Sequence, residues 1–410
     1  MYEVIIVGSG IVGLVHALLL AKDSALRIAI VDAKDPASTW SETVYDSRVY
    51  ALTPASQQLL DSLNVWSQIQ SKRASPFIRM QVWDARGGGE LVFDHAQLNV
   101  PTLGYIIEEN LLRATLLEKL KDFPSIDLLY PLNLTALQEQ QEALELHYTF
   151  SQAEQGSDKD LPVQRSLRTK LLIGADGAQS WVREQAGIPL HIQAYQHSAL
   201  IAQVETTASH HQTARQVFLS VDDFPSGPLA FLPLINEHHC SIVWSTAPAA
   251  AEQLMRMNES SFQDIVAQAS AFRLGKIQAV SKRQLFPLYE RHAEQYVKNR
   301  LALIGEAAHS LHPLAGQGLN LGIADAGSLA AVIREAVQKD RDFASLNTLR
   351  RYERARRSDN AVMLSTVKLL QSLFASKNKS LALLRNQGLI AIHHFPLLKN
   401  FLARYAMGTV

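Results

Sequence analysis

The chain has 410 residues, of which 47% are hydrophobic and 19% are charged, so it is long enough for two domains or one large α/β unit. Its 39 basic and 39 acidic residues balance, and no overall charge favours nucleic acid as a partner. Cys240 is the only cysteine, which excludes an intrachain disulfide and a cysteine-based metal site and fits a reducing, cytoplasmic location.

The N-terminus carries a dinucleotide-binding pattern. An apolar strand is predicted at residues 3–7, a helix at 11–22 and a second strand at 27–31, which ends at Asp32. The turn before the helix reads G-S-G-I-V-G, and its glycines are Gly8, Gly10 and Gly13. They allow a tight bend, close approach of the backbone to a pyrophosphate and close helix–strand packing, while Asp32 can accept a hydrogen bond from a ribose. The pattern fits NAD and FAD equally, because both contain the same ADP half.

The next stretch predicts further helices and strands. A helix is expected at residues 53–63, with Thr53 as its N-cap and Pro54 in its first turn. Two strands around a triple glycine are expected within residues 80–94. The remaining elements are an amphipathic helix at 110–121, strand-like sequence at 126–148 and a polar loop at 152–165.

A second strand, turn and helix occur at residues 171–183, which read L-L-I-G-A-D-G-A-Q-S-W-V-R. An isolated Asp-Gly turn is common between any strand and helix. Beside the N-terminal pattern, this one indicates a second cofactor segment. The sequence then changes to short strands punctuated by proline and glycine, at 199–204, 216–219, 229–234 and 240–244. These predict an antiparallel sheet that forms a substrate-facing layer.

Residues 305–325 form the most informative stretch and read G-E-A-A-H-S-L-H-P-L-A-G-Q-G-L-N-L-G-I-A-D. An apolar strand at 301–304 precedes them, and a helix is predicted at 319–336. A glycine-rich loop in this position directs bare N–H groups and the positive end of a helix at an anion or an electron-rich ring.

The tail, residues 360–410, contains six basic residues and no Asp or Glu. A basic, apolar helical segment can lie on an anionic bilayer, dock on a partner protein or pack as a helical pair on the substrate domain. No signal-peptide pattern and no uncharged run of transmembrane length is present, so we expect a cytoplasmic protein with the tail as a candidate for peripheral membrane contact.

Together the three glycine segments resemble the group A flavoprotein monooxygenases, the aromatic-ring hydroxylases that hold one FAD. The H-P-L-A-G-Q-G-L-N-L-G run at 312–322 and the D-S-R-V-Y-A-L segment at 46–52 are most similar to the hydroxylases of ubiquinone biosynthesis. V-W-D at 82–84 and L-G-Y-I-I-E at 103–108 are similar to the enzymes of that group that act on polyprenylphenols.

The resemblance implies roles for particular residues. The first glycine turn and Asp32 would hold the ADP half of FAD, and Arg48 would pair with the pyrophosphate or border the flavin. Glu306 stands where the family usually has Asp, and it would accept a hydrogen bond from the ribityl chain. The complete set implied as cofactor-binding is Gly8, Gly10, Gly13, Asp32, Arg48, Asp176, Arg183, Gly305, Glu306, Pro313, Gly316, Gln317, Gly318 and Asn320.

The resemblance further implies that the chain uses O2 and a reduced nicotinamide or other donor to hydroxylate a polyprenylated phenol, through a flavin C4a-hydroperoxide. No catalytic base is identified. His309 and His312 flank the cofactor loop and could assist proton movement, although fixing the loop is the more ordinary role for such residues. No metal site is expected. A flavin dehydrogenase or reductase, and a non-catalytic flavin-binding subunit of a quinone-biosynthesis complex, remain as alternatives.

The expected fold is α/β: a Rossmann-like FAD-binding domain with the GxGxxG turn, an interleaved antiparallel-sheet substrate domain and a helical C-terminus. The FAD-binding domain is expected to be discontinuous, comprising residues 1–75, 102–185 and 283–338. The substrate domain would comprise residues 76–101 and 186–282, and the C-terminal helical region residues 339–410.

Overall fold

A computed structural model describes residues 1–36, 40–85, 89–150, 165–220, 223–310 and 316–375, together with residues 400, 403–404 and 407–408. Most of the predicted polar loop, most of the basic tail, His312 and Pro313 lie outside the described residues.

Strands and helices both occur along the described chain, and runs of consecutive strands occur within residues 126–174 and 190–246. The strands are β1 (Tyr2–Val7), β2 (Ile28–Val31), β3 (Val49–Leu52), β4 (Ser75–Phe77), β5 (Arg79–Asp84), β6 (Glu90–Asp94), β7 (Gly104–Glu108), β8 (Ile126–Leu129), β9 (Leu132–Glu139), β10 (Leu144–Phe150), β11 (Arg165–Gly174), β12 (Leu190–Thr206), β13 (Thr213–Leu219), β14 (Gly227–Pro233), β15 (His239–Thr246), β16 (Ile277–Val280), β17 (Gln284–Ala293), β18 (Val297–Lys298), β19 (Leu301–Leu303) and β20 (His309–Ser310). The helices are α1 (Ile11–Asp23), α2 (Pro54–Ser62), α3 (Trp66–Arg73), α4 (His95–Leu98), α5 (Glu109–Leu120), α6 (Trp181–Gln185), α7 (Pro248–Arg256), α8 (Glu259–Ala269), α9 (Gly318–Gln338) and α10 (Leu346–Ala375). The sequence pattern predicted α1, α2, α5 and α9 to within two residues at each end.

The first sheet, called here the parallel sheet, has the strand order β18-β19-β11-β1-β2-β8. Its five strands from β19 to β8 run parallel to one another. β1 and β2 contain unbroken apolar runs that are buried, as expected for strands covered on both faces. Parallel strands end at the same edge of a sheet, so the segments that follow β1, β11 and β19 are brought together.

The second sheet, called here the mixed sheet, has the order β20-β17-β12-β15-β14-β13-β5-β6, with β16 also paired to β12. One face packs on α7 and α8 around Trp244, Phe231 and Phe262. The predicted antiparallel sheet is confirmed for β12, β15, β14 and β13, which pair antiparallel in that order. β5 extends this sheet and pairs parallel to β13. β5 and β6 form the hairpin predicted from residues 80–94, and they join this sheet from a distant part of the chain.

Helix α10 packs on the parallel-sheet domain in its first half. Leu349 and Tyr352 are fully buried in the same core as β1 and α9, and the Tyr352 hydroxyl donates to the Leu303 carbonyl at 2.8 Å. The domain boundary predicted after residue 338 therefore falls inside a packed core. Helix α10 is amphipathic and must bury its apolar face, and it does so against the side of the parallel sheet.

Five residues near the C-terminus are described, and two of them are buried. Ala403 and Met407 pack with Leu98 and Leu103 in a small separate cluster. These contacts agree with the alternative that the tail packs on the body of the protein. Among the described helices, none combines the length and apolar character needed to cross a bilayer.

Candidate cofactor site

The three glycine turns predicted from the sequence meet at the start of α1. A Cβ added to Gly8 would lie 2.4 Å from the Ala175 carbonyl oxygen, so the turn after β1 touches the turn after β11. A Cβ on Gly305 would lie 3.3 Å from Val12, which places the turn after β19 against the same helix. We call residues 8–13 the first turn, 174–177 the second turn and 305–310 the third turn. Their convergence confirms the spatial arrangement that the sequence predicted.

A cavity of about 540 Å³ opens beside the first and second turns. This volume is in the range of small-molecule and cofactor sites. Its walls combine backbone with a few polar side chains: Gly8, Gly10, Asp32, Glu109, Arg113, Asn133, Asp176, Gly177 and Gln179, among apolar neighbours. Of the residues predicted to bind the cofactor, Gly8, Gly10, Asp32 and Asp176 therefore line one space.

The N-terminus of α1 is free to bind an anion. Its N-cap, Gly10, has no side-chain hydrogen bond to the first turn of the helix, and a Cβ on Gly10 would meet no atom of the described residues within 4 Å. Gly13 differs, because its Cβ would lie 2.1 Å from the Gly8 carbonyl oxygen. Gly10 thus borders open space and Gly13 permits packing, as the sequence pattern predicted.

Asp32 holds the first turn and borders the cavity. Its Oδ2 accepts hydrogen bonds from the Ser9 backbone N–H at 2.8 Å and the Ser9 hydroxyl at 2.6 Å. Asp176 plays a similar part in the second turn, where its Oδ2 accepts from the Val182 N–H at 3.0 Å. Burial raises the pKa of Asp176, and the hydrogen bonds of the turn oppose that increase.

Arg48 lies in a charged cluster with Glu109, Tyr50 and Glu306. Its guanidinium donates to Glu109 Oε2 at 3.2 Å and lies over the Phe286 ring of the mixed sheet at 5.4 Å. Burial alone would lower the pKa of Arg48, but Tyr50, Glu109 and Glu306 outweigh it and the pKa is raised. The pKa of Tyr50 is raised as well, mainly by burial and next by the negative charge of Glu109. The Arg48 cation is therefore held by the carboxylates of Glu109 and Glu306 beside Phe286 of the mixed sheet.

A buried ion pair fixes the segment that carries Arg48. Arg73 and Glu108 approach to 2.8 Å, and their side chains are 12% and 3% exposed. Glu108 accepts from the Asp46 N–H at 2.7 Å, and Arg73 donates to backbone carbonyls of the same segment, including that of Val44 at 3.0 Å. The position of Arg48 is thus set by residues outside its own loop.

The helix after the third turn also has an open N-terminus. Gly316 has a φ of +62°, and a Cβ there would touch Ala51 at 3.4 Å, whereas a Cβ on Gly318 would meet none of the described residues within 4 Å. Gln317 is the N-cap of the 21-residue α9, and no side chain in the described part of the chain caps the helix. The helix dipole places about half a positive charge at this end, next to open space.

The comparisons with known proteins agree with this geometry. Residues 1–365 match the family described as FAD binding domain. The chain is 36% identical to the 3-demethoxyubiquinol 3-hydroxylase of Escherichia coli K12, over 99% of this chain and 98% of that protein. It is 33% identical to the ubiquinone hydroxylase UbiL of Rhodospirillum rubrum, over 100% of this chain and 90% of that protein.

The chain belongs to the FAD-dependent hydroxylases of ubiquinone biosynthesis. It is a flavoprotein monooxygenase, and its cofactor is FAD. The crystal structure of p-nitrophenol 4-monooxygenase PnpA from Pseudomonas putida DLL-E4 has the same fold, with a TM-score of 0.76, 20% sequence identity and coverage of 98% of this chain and 96% of that chain.

The residues that line the cavity fit the ADP half of FAD. Arg113 carries a buried Nε without a hydrogen-bond partner among the described residues, and it faces the same space as Gly10. A buried, unpaired guanidinium nitrogen is costly, and a pyrophosphate would satisfy it. Sequence reasoning missed Arg113, along with Glu109, Asn133 and Gln179. Only the helical spacing that places Glu109 and Arg113 on one face of α5 could have indicated two of them.

Two residues predicted to bind FAD have other contacts in the fold. Arg183 is 7% exposed and donates to the carbonyls of Ala178 at 3.0 Å and Ala307 at 2.9 Å, so it ties the second turn to the third. Asn320 is buried and joins α9 to the end of β3, donating to the Ala51 carbonyl at 2.8 Å. Its Oδ1 accepts from the Thr53 N–H at 3.0 Å and the Ser56 hydroxyl at 2.7 Å. Their contacts with FAD remain predictions.

The third turn presents Glu306 and buries His309. Glu306 is exposed on a short 3-10 turn, Gly305–Ala307. His309 is 2% exposed, and its Nε2 lies 2.5 Å from Asp325 Oδ2. Pro313 and His312 lie outside the described residues. A structural role for His309 is visible in these contacts, and its role in proton movement remains a prediction.

Proposed function

We propose that this chain hydroxylates the aromatic ring of a polyprenylated phenol during ubiquinone biosynthesis. The proposal rests on the convergence of the three glycine turns at the start of α1, beside a cavity that the first two turns line, in a chain similar over its whole length to a 3-demethoxyubiquinol 3-hydroxylase. Such a phenol has an electron-rich ring and a long apolar chain, so the site must hold the ring at the flavin and guide the chain away from water.

FAD would lie across the edge of the parallel sheet. The α1 N-terminus and Arg113 would bind its pyrophosphate, Asp32 its adenosine ribose and Glu306 its ribityl chain, and the α9 N-terminus would face the flavin ring. Bound FAD would supply the oxygen chemistry, which the family resemblance assigns to a C4a-hydroperoxide, after reduction by a nicotinamide or another donor. The protein would orient the ring and exclude water around it.

The phenol would bind against the face of the mixed sheet that does not pack on α7 and α8. Alternation along β12 and β15 places Gln203 and Ser241 on this face, since their neighbours Ala202, Cys240 and Ile242 belong to the opposite core. The Gln203 amide contacts the Asp46 carbonyl, which brings the face to the segment that carries Arg48. A phenol ring placed there would lie between the mixed sheet and the flavin.

The direct test removes the gene from its host and identifies the accumulating quinone intermediate by mass spectrometry. We expect an intermediate that lacks one ring hydroxyl, restored to ubiquinone by the wild-type chain and not by a Gly13→Ala variant. Normal ubiquinone levels in the deletion strain would contradict the proposal. Oxygen uptake by the purified holoenzyme with the accumulated phenol then distinguishes a hydroxylase from a flavin reductase, which would consume no oxygen in making product.

We also propose a cytoplasmic protein whose basic tail makes peripheral membrane contact, because a polyprenylated substrate resides in the bilayer. Deleting residues 376–410 should reduce flotation with anionic liposomes. This deletion also removes the packing of Ala403 and Met407 on the body, so a variant with Lys377→Ser and Lys379→Ser provides the matched test of charge alone. Unchanged flotation of both variants would refute the membrane role.

A further inference from the structure

A carboxylate with no exposure to solvent lies directly behind the third turn. Asp325, in α9, has both oxygens engaged. Its Oδ2 accepts from the Gly305 backbone N–H at 3.1 Å and lies 2.5 Å from His309 Nε2. Its Oδ1 accepts from Arg356 Nε at 2.8 Å. One side chain therefore contacts two points of the turn and a second helix.

The charge of Asp325 is balanced within the protein. Burying a lone carboxylate is expensive, and a buried charge persists only where partners and hydrogen bonds compensate it. Burial raises the pKa of Asp325, but His309 and Arg356 outweigh burial and the net pKa is lowered. Asp325 is therefore an anion in the folded protein, although no water reaches it.

The two contacts on the turn lie on either side of Glu306. Gly305 has a φ of +60°, a left-handed conformation that directs its N–H inward to Asp325. His309 lies near the end of the turn and pairs with His292 of the mixed sheet. Between these points the chain must bend outward, and there Glu306 faces solvent. The Asp325 carboxylate therefore fixes the conformation of the third turn that exposes Glu306, although Asp325 itself does not line the cavity.

Helix α10 completes the arrangement from behind. Arg356 donates to Asp325 and, through Nη2, to Asn360 Oδ1 at 3.0 Å. Asn360 is itself fully buried and its amide nitrogen lies 3.4 Å from the Tyr296 hydroxyl. The cation that compensates Asp325 thus comes from a helix with no residue in the cofactor cavity.

We propose that Asp325 is a positioning residue for FAD, which holds the third turn so that Glu306 can bind the ribityl chain, and that Arg356 of α10 is required for this. The inference rests on the proposed role of Glu306. It makes FAD affinity depend on α10, a helix outside the cofactor site. It also explains how Glu306 can act where the family has the shorter aspartate, because Asp325 holds the third turn rigidly.

The test measures FAD affinity of the full chain, stripped of FAD and reconstituted, by quenching of flavin fluorescence. Asp325→Asn keeps the shape of the side chain and removes its charge, and we expect at least about tenfold weaker binding. Arg356→Met should weaken binding similarly. Asp359→Asn is the matched control, because Asp359 also accepts from Arg356, at 3.0 Å, but is 64% exposed and does not touch the turn. It should change affinity by less than about twofold.

A double-mutant cycle with Glu306→Gln separates positioning from general stability. If Asp325 acts through Glu306, the Asp325→Asn and Glu306→Gln pair should bind FAD no more weakly than the weaker single variant. Additive losses, or lower thermal stability with unchanged FAD affinity, would overturn the proposal. If Asp325→Asn does not fold, the same cycle is measured with Arg356→Met and Glu306→Gln, and the double variant should again bind FAD no more weakly than the weaker single variant. If the holoenzyme shows this coupling between Asp325 and Glu306 but does not hydroxylate the phenol, the proposed function is refuted and the inference about Asp325 stands.

Discussion

The edge of the parallel sheet and the free face of the mixed sheet differ in what lines them. At the edge, Gly8, Gly10 and Gly318 present backbone, and the polar side chains among them are few. On the face, side chains such as Gln203 and Ser241 supply the polar groups. A common cofactor can be recognised by backbone geometry, which requires glycine, whereas selection among phenols requires side chains. The cofactor half is therefore recognisable from its glycine turns, whereas the strands of the mixed sheet carry no glycine pattern of that kind in the sequence.

The largest effect should come from the glycines of the first turn, where two substitutions of equal size should differ. Gly13→Ala places a Cβ 2.1 Å from the Gly8 carbonyl oxygen, so we expect loss of FAD and a clear loss of stability. The Cβ of Gly10→Ala meets no atom of the described residues within 4 Å, so the protein should fold normally yet bind FAD poorly. FAD occupancy and thermal unfolding of both variants check this. A Gly10→Ala protein with full FAD affinity would show that the pyrophosphate lies elsewhere.

The next largest effect is a loss of stability at acid pH, caused by His16 in the core behind the first turn. His16 is fully buried, with Nδ1 2.9 Å from the Ala326 carbonyl oxygen, and burial lowers its pKa to about 4. The folded state favours the neutral His16 ring, whereas the unfolded chain binds a proton at the ordinary pKa of 6.5. The contribution of His16 to the free energy of unfolding is therefore intact above pH 6.5 and declines as pH falls from 6.5 toward 4. By pH 5 the loss should reach about 2 kcal/mol.

Urea unfolding at pH 7.5 and pH 5 measures this contribution to the free energy of unfolding. A His16→Asn variant keeps a donor near the Nδ1 position and cannot be protonated. Its stability should fall less between the two pH values than that of the wild type, whatever its absolute stability. Equal pH dependence of the two proteins would assign the acid sensitivity to other groups.

A smaller effect is expected at Arg113, the cavity residue that sequence reasoning missed. Arg113→Met should weaken FAD binding about tenfold, because a charge-assisted hydrogen bond to the pyrophosphate is lost while the side-chain volume is largely kept. Lys121→Met, at the end of the same helix with a 71% exposed side chain, is the control and should bind FAD normally. Equal affinities of the two variants, measured by flavin fluorescence, would remove Arg113 from the site.

The smallest effect is expected on the mixed sheet. The Ser241 hydroxyl is buried and has no hydrogen-bond partner among the described residues. If it serves as a polar contact for the phenol, Ser241→Ala should raise KM for that substrate several-fold and leave FAD affinity unchanged. A lower FAD affinity without a change in KM would place this face against the cofactor instead.

The sequence by itself determined the three turns, because a tight bend, a bare helix N-terminus and close packing depend on glycines that are local in the chain. It also determined α1, α2, α5 and α9 through periodicity and caps such as Thr53, whose hydroxyl accepts from the Ser56 N–H at 3.3 Å. From the turns followed the family and the cofactor.

The tertiary structure alone decided which side chains face the cavity and which support it. Arg183 and Asn320 occur in cofactor motifs but contact backbone elsewhere, whereas Arg113 occurs in no motif and lines the cavity. The parallel pairing of β13 with β5 and the contact between Asp325 and Arg356 join residues distant in the chain. No local pattern encodes such pairs, because their energy exists only once separate helices and strands have packed together.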